Sequence, residues 1–289
     1  MRSALITGSS GFIGQHLIKA LKKKGVKVIG FSRKKGQLVT NYRHFAKLPS
    51  VDVVFHLGAV SGYKDSNENT YQAYEVNVAG TINVLEYCRR VGAKLIFPST
   101  YVYDQPYTDY KKESDPEKPQ THYAYSKYLG EKSCQFYSRV HEVNTLVLRT
   151  SNVYGRGQDT KYIVPVIATH LINGKPLTLT KPGIERSYIY VSDVVDAYIK
   201  LAQAKTKPGD VYNVAYPKPT HLADLVKLME KITGIRGKIT YSGVARPHDV
   251  DKNRYNIDKI KKKINWQPKV DLESGLKEYF QSLTKFKEI

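Results

Sequence analysis

The chain has 289 residues, of which 41% are hydrophobic, and its 46 basic residues outnumber 26 acidic ones to give a formal net charge of +20 at pH 7. This length and composition support a full hydrophobic core and exclude a disordered or low-complexity chain. No apolar run approaches the roughly 18 residues that a membrane-spanning helix needs, so we expect no membrane partner.

The cysteines indicate the location of the protein, and the positive charge indicates the kind of partner that it binds. Cys88 and Cys134 lie in helical patterns without the spacing of a metal site, which predicts reduced thiols, no bound metal and a cytoplasmic location. The N-terminus leads directly into a strand pattern, and we expect no signal peptide. Excess lysine suits either nucleic acid or a polyanionic small molecule. Because no nucleic-acid recognition motif accompanies the charge, we expect no nucleic-acid partner.

The first thirty residues carry a glycine-rich turn. Apolar runs at Ser3–Thr7 and Val26–Phe31 flank the sequence GSSGFIG at residues 8–14 and a helical pattern. A strand, a glycine turn, a helix and a second strand form the context of a dinucleotide-binding turn. Glycines let the backbone approach a pyrophosphate, and the free N–H groups that begin the helix attract its charge. The segment therefore predicts a dinucleotide cofactor, with an ordinary tight turn as the alternative.

Strand and helix patterns then alternate. The predicted elements are strands at Val51–Gly58, Lys94–Ser99 and Thr145–Arg149, and helices at Tyr71–Val91 and from about Tyr123 to His141. This alternation predicts an α/β fold, a Rossmann-type doubly wound parallel sheet with ligands at the carboxyl ends of its strands.

Past residue 154 the pattern changes to short strands and turns, with helices predicted at Leu222–Thr233 and Leu272–Phe286. The change indicates a smaller, discontinuous α+β lobe. We expect residues 1–154 and 187–210 to form the dinucleotide-binding domain. Residues 155–186 and 211–289 would form the lobe that binds the substrate.

A tyrosine and a lysine four residues apart suit proton transfer. Tyr123 and Lys127 share one face of a predicted helix, where the ammonium favours the phenolate form of the tyrosine. The spacing itself is not specific, since it also occurs at Tyr107/Lys111, Tyr128/Lys132 and Tyr255/Lys259. Only the helix of Tyr123 follows the strand that ends at Ser99, whose hydroxyl could bond a carbonyl or an alkoxide. We therefore interpret Ser99, Tyr123 and Lys127 as a catalytic group and the other pairs as surface residues.

At this point the sequence resembles the extended short-chain dehydrogenase/reductases, the NAD(P)-dependent epimerase/dehydratase group that modifies nucleotide sugars. The matching segments are GSSGFIG at 8–14, HLGA at 56–59, NVAGTINVLEYC at 77–88, PSTYVYD at 98–104, YAYSK at 123–127, LRTSNVYGRG at 148–157, RSYIYVSDVVDA at 186–197, YNVA at 212–215, RPHDV at 246–250 and NWQP at 265–268. They cover nearly the whole chain in the family's order.

The resemblance implies roles for individual residues. Tyr123 would be the acid and base, Lys127 would hold the nicotinamide ribose and lower the pKa of the tyrosine, and Ser99 would orient the reacting oxygen. The implied cofactor contacts are Gly8, Gly11, Phe12, Ile13 and Gly14 around the pyrophosphate, and Leu57, Ala59 and Asn77 on the adenine and ribose side. Asn152 would contact the substrate, and Arg186 and Arg246 would clasp its diphosphate, a role that suits bidentate guanidinium groups.

Two departures from the family pattern bear on specificity. The second strand ends at Ser32 and Arg33, followed by two lysines, where NAD-preferring members commonly carry an aspartate for the ribose 2′-hydroxyl. We therefore expect NAD(P) as cofactor, with a preference for NADP. Thr100 and Tyr101 stand where dehydratases carry Asp-Glu, which disfavours 4,6-dehydration, and Tyr101 also disfavours decarboxylation.

The predicted reaction is reversible hydride transfer at a sugar carbon, C4 above others, of a nucleoside-diphosphate sugar. An epimerase that retains its cofactor is the first hypothesis, and an NADPH-dependent reductase of 4-keto sugars is the alternative. A non-catalytic nucleotide- or RNA-binding protein is a remote third. The resemblance also implies a homodimer.

Overall fold

The computed structural model describes residues 1–100, 110–244 and 251–283. The central strands, numbered with all others in chain order, are β1 Ser3–Thr7, β2 Lys27–Phe31, β3 Val53–His56, β4 Lys94–Thr100, β5 Thr145–Thr150 and β10 Asp210–Val214. All of them run parallel, in the order β2-β1-β3-β4-β5-β10. The order reverses beside β1, which makes the β1–β3 junction the switch point where ligands of such sheets bind.

Helices cover both faces of this sheet. Their bounds are α1 Phe12–Lys23, α2 Arg43–Ala46, α3 Tyr63–Glu68, α4 Thr70–Tyr74, α5 Gly80–Val91, α6 His122–Val140, α7 Ile163–Ile172, α8 Val191–Gln203, α9 Leu222–Thr233, α10 Asp258–Ile264 and α11 Leu272–Gln281. Helices α1 and α8 pack on one face, and α5 and α6 pack on the other. The doubly wound α/β fold predicted from the sequence is thereby confirmed.

Alternate residues of the strands enter two different cores, because successive side chains of a strand point to opposite faces. Leu5 of β1 and Phe97 of β4 join the core under α5 and α6, whereas Ile6 and Ile96 join the core under α1 and α8. All four side chains are fully buried. Burial on both faces explains why these strands are continuous apolar runs in the sequence.

Two predicted elements differ in detail. The helix predicted at Tyr71–Val91 is α4 and α5 joined by a π-helical segment at Glu75–Ala79. The π-helical segment carries the buried side chain of Asn77, and such irregular turns are frequent at functional sites. The last helix ends at Gln281 rather than at Phe286, which lies outside the described residues.

The rest of the chain forms small strand pairs. The remaining strands are β6 Asn152–Tyr154, β7 Leu177–Leu179, β8 Glu185–Arg186, β9 Tyr188–Tyr190, β11 Thr220–His221 and β12 Ile239–Tyr241. They pair as β6 with β9, β7 with β12 and β8 with β11. Strand β10, by contrast, lies in the central sheet beside β5. No helix within the described ranges is both long and apolar enough to cross a membrane.

Candidate active site

The glycine turn after β1 packs so closely against neighbouring backbone that side chains cannot be accommodated at Gly8 and Gly14. Gly8 has a φ of +66°, and a Cβ added there would lie 2.7 Å from the amide nitrogen of Gly58. A Cβ on Gly14 would clash with the carbonyl oxygen of Gly8. Helix α1 begins immediately afterwards, with Gly11 at its N-cap and no capping side chain from the described residues. Free helical N–H groups beside a cradle that side chains would fill fit the pyrophosphate of a dinucleotide.

The end of β2 forms one wall of a cationic cavity of about 430 Å³. The cavity lies between β2, α1 and the 3₁₀ turn at Arg33–Lys35, and its polar lining comprises Ser9, Ser10, Gln15, Lys22, Ser32, Lys34 and Lys35. Ser32 is 5% exposed, and its hydroxyl has no hydrogen-bond partner within the described parts of the chain. Arg33 is exposed and is not among the residues that line the cavity. Its charge comes from Lys34 and Lys35, the two lysines that follow Arg33 in the sequence, and from Lys22 of α1, which was not predicted at this site.

The ends of β1 and β3 are joined by a buried hydrogen-bond network around His56. Its Nδ1 lies 2.7 Å from Thr7 Oγ1, which accepts from the amide of Gly58 at 3.0 Å. Its Nε2 lies 3.1 Å from Thr81 Oγ1, which donates to a backbone carbonyl. Burial, together with the nearby charge of Lys127, lowers the pKa of His56 to about 3, so the imidazole is neutral. The network fixes the Leu57–Ala59 turn expected to contact the cofactor.

Asn77 connects this turn to α6. Its side-chain amide donates to the carbonyl of Val60 and to Ser126 Oγ, both at 2.9 Å, and its carbonyl oxygen accepts from the amide of Val60 at 2.9 Å. Asn77 is 1% exposed. Ser126, which the sequence analysis passed over inside the YAYSK motif, in turn donates to the carbonyl of Tyr123 at 2.9 Å. These hydrogen bonds therefore connect the turn that follows β3 to the first turn of α6.

Helix α6 carries the proposed catalytic side chains to the end of β4. Its N-cap is Thr121, whose side chain accepts from the amide of Ala124 at 3.1 Å. Tyr123 is partly exposed, while Lys127, one turn later, is 4% exposed. The Lys127 Nζ lies 4.1 Å from the ring centroid of Phe97 on β4. Burial lowers the pKa of Lys127 to about 8.

Ser99 lies near the end of β4, where it is 6% exposed. In the parallel ladder its register partner on β5 is Arg149. Arg149 is buried and forms ion pairs with Glu131 of α6 and with Glu117. None of these three charged residues was predicted as part of the site, although Glu131 stands four residues after Lys127, a spacing that places both on one helix face.

The residues expected on the substrate side lie beyond β5. Asn152 begins β6, and its Oδ1 is buried without a hydrogen-bond partner among the described residues. Arg186 lies on β8, partly buried, and donates to the carbonyl of Glu185 at 2.8 Å. Arg246 lies outside the described residues. A buried acceptor such as Asn152 Oδ1 calls for a donor that a substrate hydroxyl could supply.

Comparison with known proteins agrees with this geometry. The family model of the NAD dependent epimerase/dehydratase family matches residues 4–215. A curated relative from Methanocaldococcus jannaschii, a putative UDP-glucose 4-epimerase, is 30% identical over 94% of this chain and 95% of its own length.

Two solved structures are similar over almost the whole chain. The UDP-glucose 4-epimerase of Thermotoga maritima with UDP-glucose superposes with a TM-score of 0.91 at 27% identity, covering 97% of this chain and 98% of that one. The UDP-glucose 4-epimerase of Thermus thermophilus in complex with NAD gives a TM-score of 0.88 at 26% identity, covering 99% of both chains.

Proposed function

The chain belongs to the NAD-dependent epimerase/dehydratase family, and we propose that it epimerises a nucleoside-diphosphate sugar, with a UDP-sugar as the first candidate, at C4. The observation that carries this proposal is the buried ammonium of Lys127, one helical turn from Tyr123, on an element packed against the end of β4. The glycine turn of the same sheet fits a dinucleotide. The relatives named as UDP-glucose 4-epimerases support the choice of substrate and carbon.

The mechanism assigns a separate task to each side chain. When bound, the nicotinamide supplies the chemistry of accepting and returning a hydride at the sugar carbon. Tyr123, as phenolate, takes the proton of the C4 hydroxyl, and the charge of Lys127 stabilises that phenolate. Ser99 donates a hydrogen bond to the same oxygen. After the 4-keto sugar has turned its other face, Tyr123 returns the proton and the C4 epimer results.

Binding of the two phosphate-bearing ligands is assigned to separate groups. The proposed cofactor contacts are Gly8, Gly11, Phe12, Ile13, Gly14, Leu57 and Ala59, with Asn77 acting by holding the β3 turn. Asn152, Arg186 and Arg246 would bind the substrate, the two arginines at its diphosphate. A net charge of +20 favours the encounter with such an anion.

The cavity at the end of β2 supports NADP as the preferred cofactor. It holds the buried hydroxyl of Ser32, which has no hydrogen-bond partner among the described residues, and two neighbouring ammonium groups, Lys34 and Lys35; none of its lining residues is a carboxylate. A ribose 2′-phosphate would satisfy the hydroxyl and pair with the cations. The same cavity favours the second candidate function, an NADPH-dependent reductase of nucleoside-diphosphate 4-keto sugars. Such an enzyme binds NADPH, which carries the 2′-phosphate, and exchanges it at each turnover.

A homodimer through α5 and α6 is part of the proposal. Outward side chains of these helices are apolar and exposed, at Ile82, Tyr125, Phe136 and Val140. Exposed apolar side chains on these helices are typical of a subunit interface. The two buried, free thiols support a cytoplasmic location. Light scattering of the wild type and of Phe136→Glu tests the assembly: a dimer that becomes a monomer is expected, and a monomeric wild type contradicts it.

The function is tested by denaturing freshly purified protein, identifying released dinucleotide by mass spectrometry, and assaying UDP-sugars for C4 epimers. A retained, stoichiometric dinucleotide with epimer formation is the expected result. An empty site that binds NADPH reversibly, together with reduction of 4-keto sugars, establishes the reductase instead. If the folded protein binds neither dinucleotide, the proposed function is wrong.

A further inference from the structure

A row of alternating charges runs from the surface into the proposed active site. We call it the charge ladder, and its members in order are Lys132, Glu117, Arg149, Glu131 and Lys127. Lys132 Nζ lies 3.2 Å from Glu117 Oε1, and Arg149 contacts the same carboxylate. Arg149 Nη2 lies 2.6 Å from Glu131 Oε1, with a second bond of 3.3 Å from Nε to Oε2. Glu131 is fully buried and Arg149 is 5% exposed.

Stability alone does not account for the inner part of the charge ladder. Removing an ion pair from water costs several kcal/mol per ion, and well-packed apolar side chains of similar volume are often at least as stabilising. The inner pair lies on the α6 face of the sheet, beside the apolar core under α5 and α6. The position of the Glu131–Arg149 pair relative to Ser99, Tyr123 and Lys127 therefore says more about its role than its contribution to stability does.

That position is fixed by two elements. Glu131 follows Tyr123 and Lys127 at successive intervals of four residues on α6, so the three side chains share one helix face. Arg149 is the register partner of Ser99 on the neighbouring strand. Hence each member of the Glu131–Arg149 pair adjoins one part of the Ser99–Tyr123–Lys127 group.

The surroundings of Lys127 leave Glu131 as its anionic neighbour. From β3 it faces His56, which is neutral, and from β4 the ring of Phe97. From its own helix it faces Cys134 and Glu131. Burial raises the pKa of the Cys134 thiol well above its ordinary value, so that thiol is uncharged. Among the described groups that act on Lys127, Glu131 is the one that carries a negative charge.

We propose that Glu131, held in place by Arg149, is a positioning residue that keeps Lys127 charged and thereby keeps Tyr123 competent for proton transfer. This inference rests on the proposed function of Tyr123 and Lys127. Burial by itself drives the ammonium towards its neutral form, and the charge of Glu131 opposes that tendency. Arg149 in turn holds the carboxylate in a fixed orientation through two charge-assisted hydrogen bonds.

Glu131→Gln tests the proposal, because the amide oxygen can still accept from Arg149 while the charge is lost. Glu117→Gln is the matched control, since it removes a carboxylate that contacts the same Arg149 Nη2 but is not among the groups that act on Lys127. Glu131→Asp restores the charge. The double variant E131Q/R149M removes the arginine as well, so that a folded protein without the carboxylate is available if the single variant does not fold.

The first readout requires no turnover. In protein labelled with ¹³C-lysine and saturated with dinucleotide, the Lys127 signal is assigned by its loss in Lys127→Met and titrated against pH. In Glu131→Gln, the pKa of Lys127 is expected to fall by about one unit, and in Glu117→Gln to stay within a few tenths. An unchanged titration in Glu131→Gln, or in the double variant, overturns the proposal.

The second readout is the pH profile of turnover. With Lys127 neutral, the phenolate of Tyr123 is less stable, so the rising limb in Glu131→Gln moves to higher pH and kcat at pH 7 falls about tenfold, with KM within about twofold. Glu131→Asp recovers most of that loss. A wild type without any turnover would instead contradict the proposed function, whereas an active wild type with an unshifted Glu131→Gln profile contradicts the role of Glu131.

Discussion

The glycine turn with the end of β2 and the buried face of α6 meet at one edge of the sheet, and we propose that they recognise ligands in different ways. At the turn, recognition depends on backbone and on absent side chains, as at Gly8 and Gly14. On α6 it depends on charged side chains held away from water, as at Lys127 and Glu131. In the proposed mechanism, the first region fixes where a ligand lies, and the second fixes the protonation state of the groups beside it.

This difference separates binding from chemistry. Changes at the turn are expected to weaken cofactor binding, because an added side chain clashes with neighbouring backbone and displaces the turn. Changes on α6 are expected to alter proton transfer while leaving the cofactor bound. Charged groups kept without water also lower the stability of the fold, so the α6 region is where stability and activity oppose each other.

Tyr123→Phe should have the largest effect. Loss of the phenolic oxygen removes the proposed proton acceptor, and kcat falls by roughly 10²- to 10⁴-fold while dinucleotide affinity changes little. Tyr128→Phe, on the same helix, is the control and should retain activity. Turnover assays measure kcat, and cofactor titrations measure dinucleotide affinity. Near wild-type activity in Tyr123→Phe would show that α6 does not supply the proton acceptor.

Gly8→Ala addresses the other region. Its φ of +66° strains an alanine, and its Cβ would meet the backbone of Leu57 and Gly58 at 2.7 Å. Gly25→Ala is the matched control, since Gly25 has a φ of +74° with open space around it and carries the strain alone. We expect dinucleotide affinity to fall at least tenfold in Gly8→Ala, by about 1.4 kcal/mol or more, and to be unchanged in Gly25→Ala. Equal affinities in isothermal titration would show that the cradle does not bind the cofactor.

Ser32→Asp separates the two cofactors. A carboxylate at the end of β2 repels a 2′-phosphate and accepts from a 2′-hydroxyl, so the preference for NADP over NAD should fall by about ten- to a hundredfold. Lys35→Gln should weaken NADP binding more than Arg33→Gln, because Lys35 lines the cavity and Arg33 does not. Equal losses in the two glutamine variants would place the phosphate elsewhere.

Lys127→Met is expected to have the smallest of these effects, an increase in the free energy of unfolding. Because burial lowers the pKa of Lys127 from 10.5 to about 8, the unfolded chain binds its proton more tightly, and wild-type stability rises with pH between those values. The methionine variant lacks that increment and is expected to be more stable by roughly 1 to 3 kcal/mol at pH 7. Urea unfolding at pH 7 and pH 10 measures both values. A less stable variant, or the same rise in stability from pH 7 to pH 10 as in the wild type, would show that burial of the Lys127 ammonium does not destabilise the fold.

Much of the fold follows from local sequence. The strands β1, β3, β4 and β5 are short apolar runs buried on both faces, and α6 was placed within one residue at each end. The π-helical segment at Glu75–Ala79 was not predictable, because it depends on bonds from Asn77 to Val60 and Ser126, far away in the chain. The position of β10 likewise depends on pairing with β5 rather than on its own pattern.

In the candidate site, too, some features follow from local sequence and others depend on contacts between distant parts of the chain. The glycine turn could be predicted from its local sequence, and the Tyr123–Lys127 pair from its position on the helix that follows the Ser99 strand rather than from its spacing alone. The roles of Lys34 and Lys35 depend on a cavity that several elements enclose. The Glu131–Arg149 pair joins a helix to a strand, and no motif of the sequence indicates that contact.

The most direct measurement follows the hydrogen at C4 by NMR while the protein acts on UDP-glucose and UDP-glucuronate in D₂O. The account predicts that a C4 epimer forms and carries protium at C4, because the carbon-bound hydrogen never exchanges with solvent while Tyr123 exchanges the hydroxyl proton. Deuterium at C4, or no C4 epimer from either UDP-sugar, would contradict it.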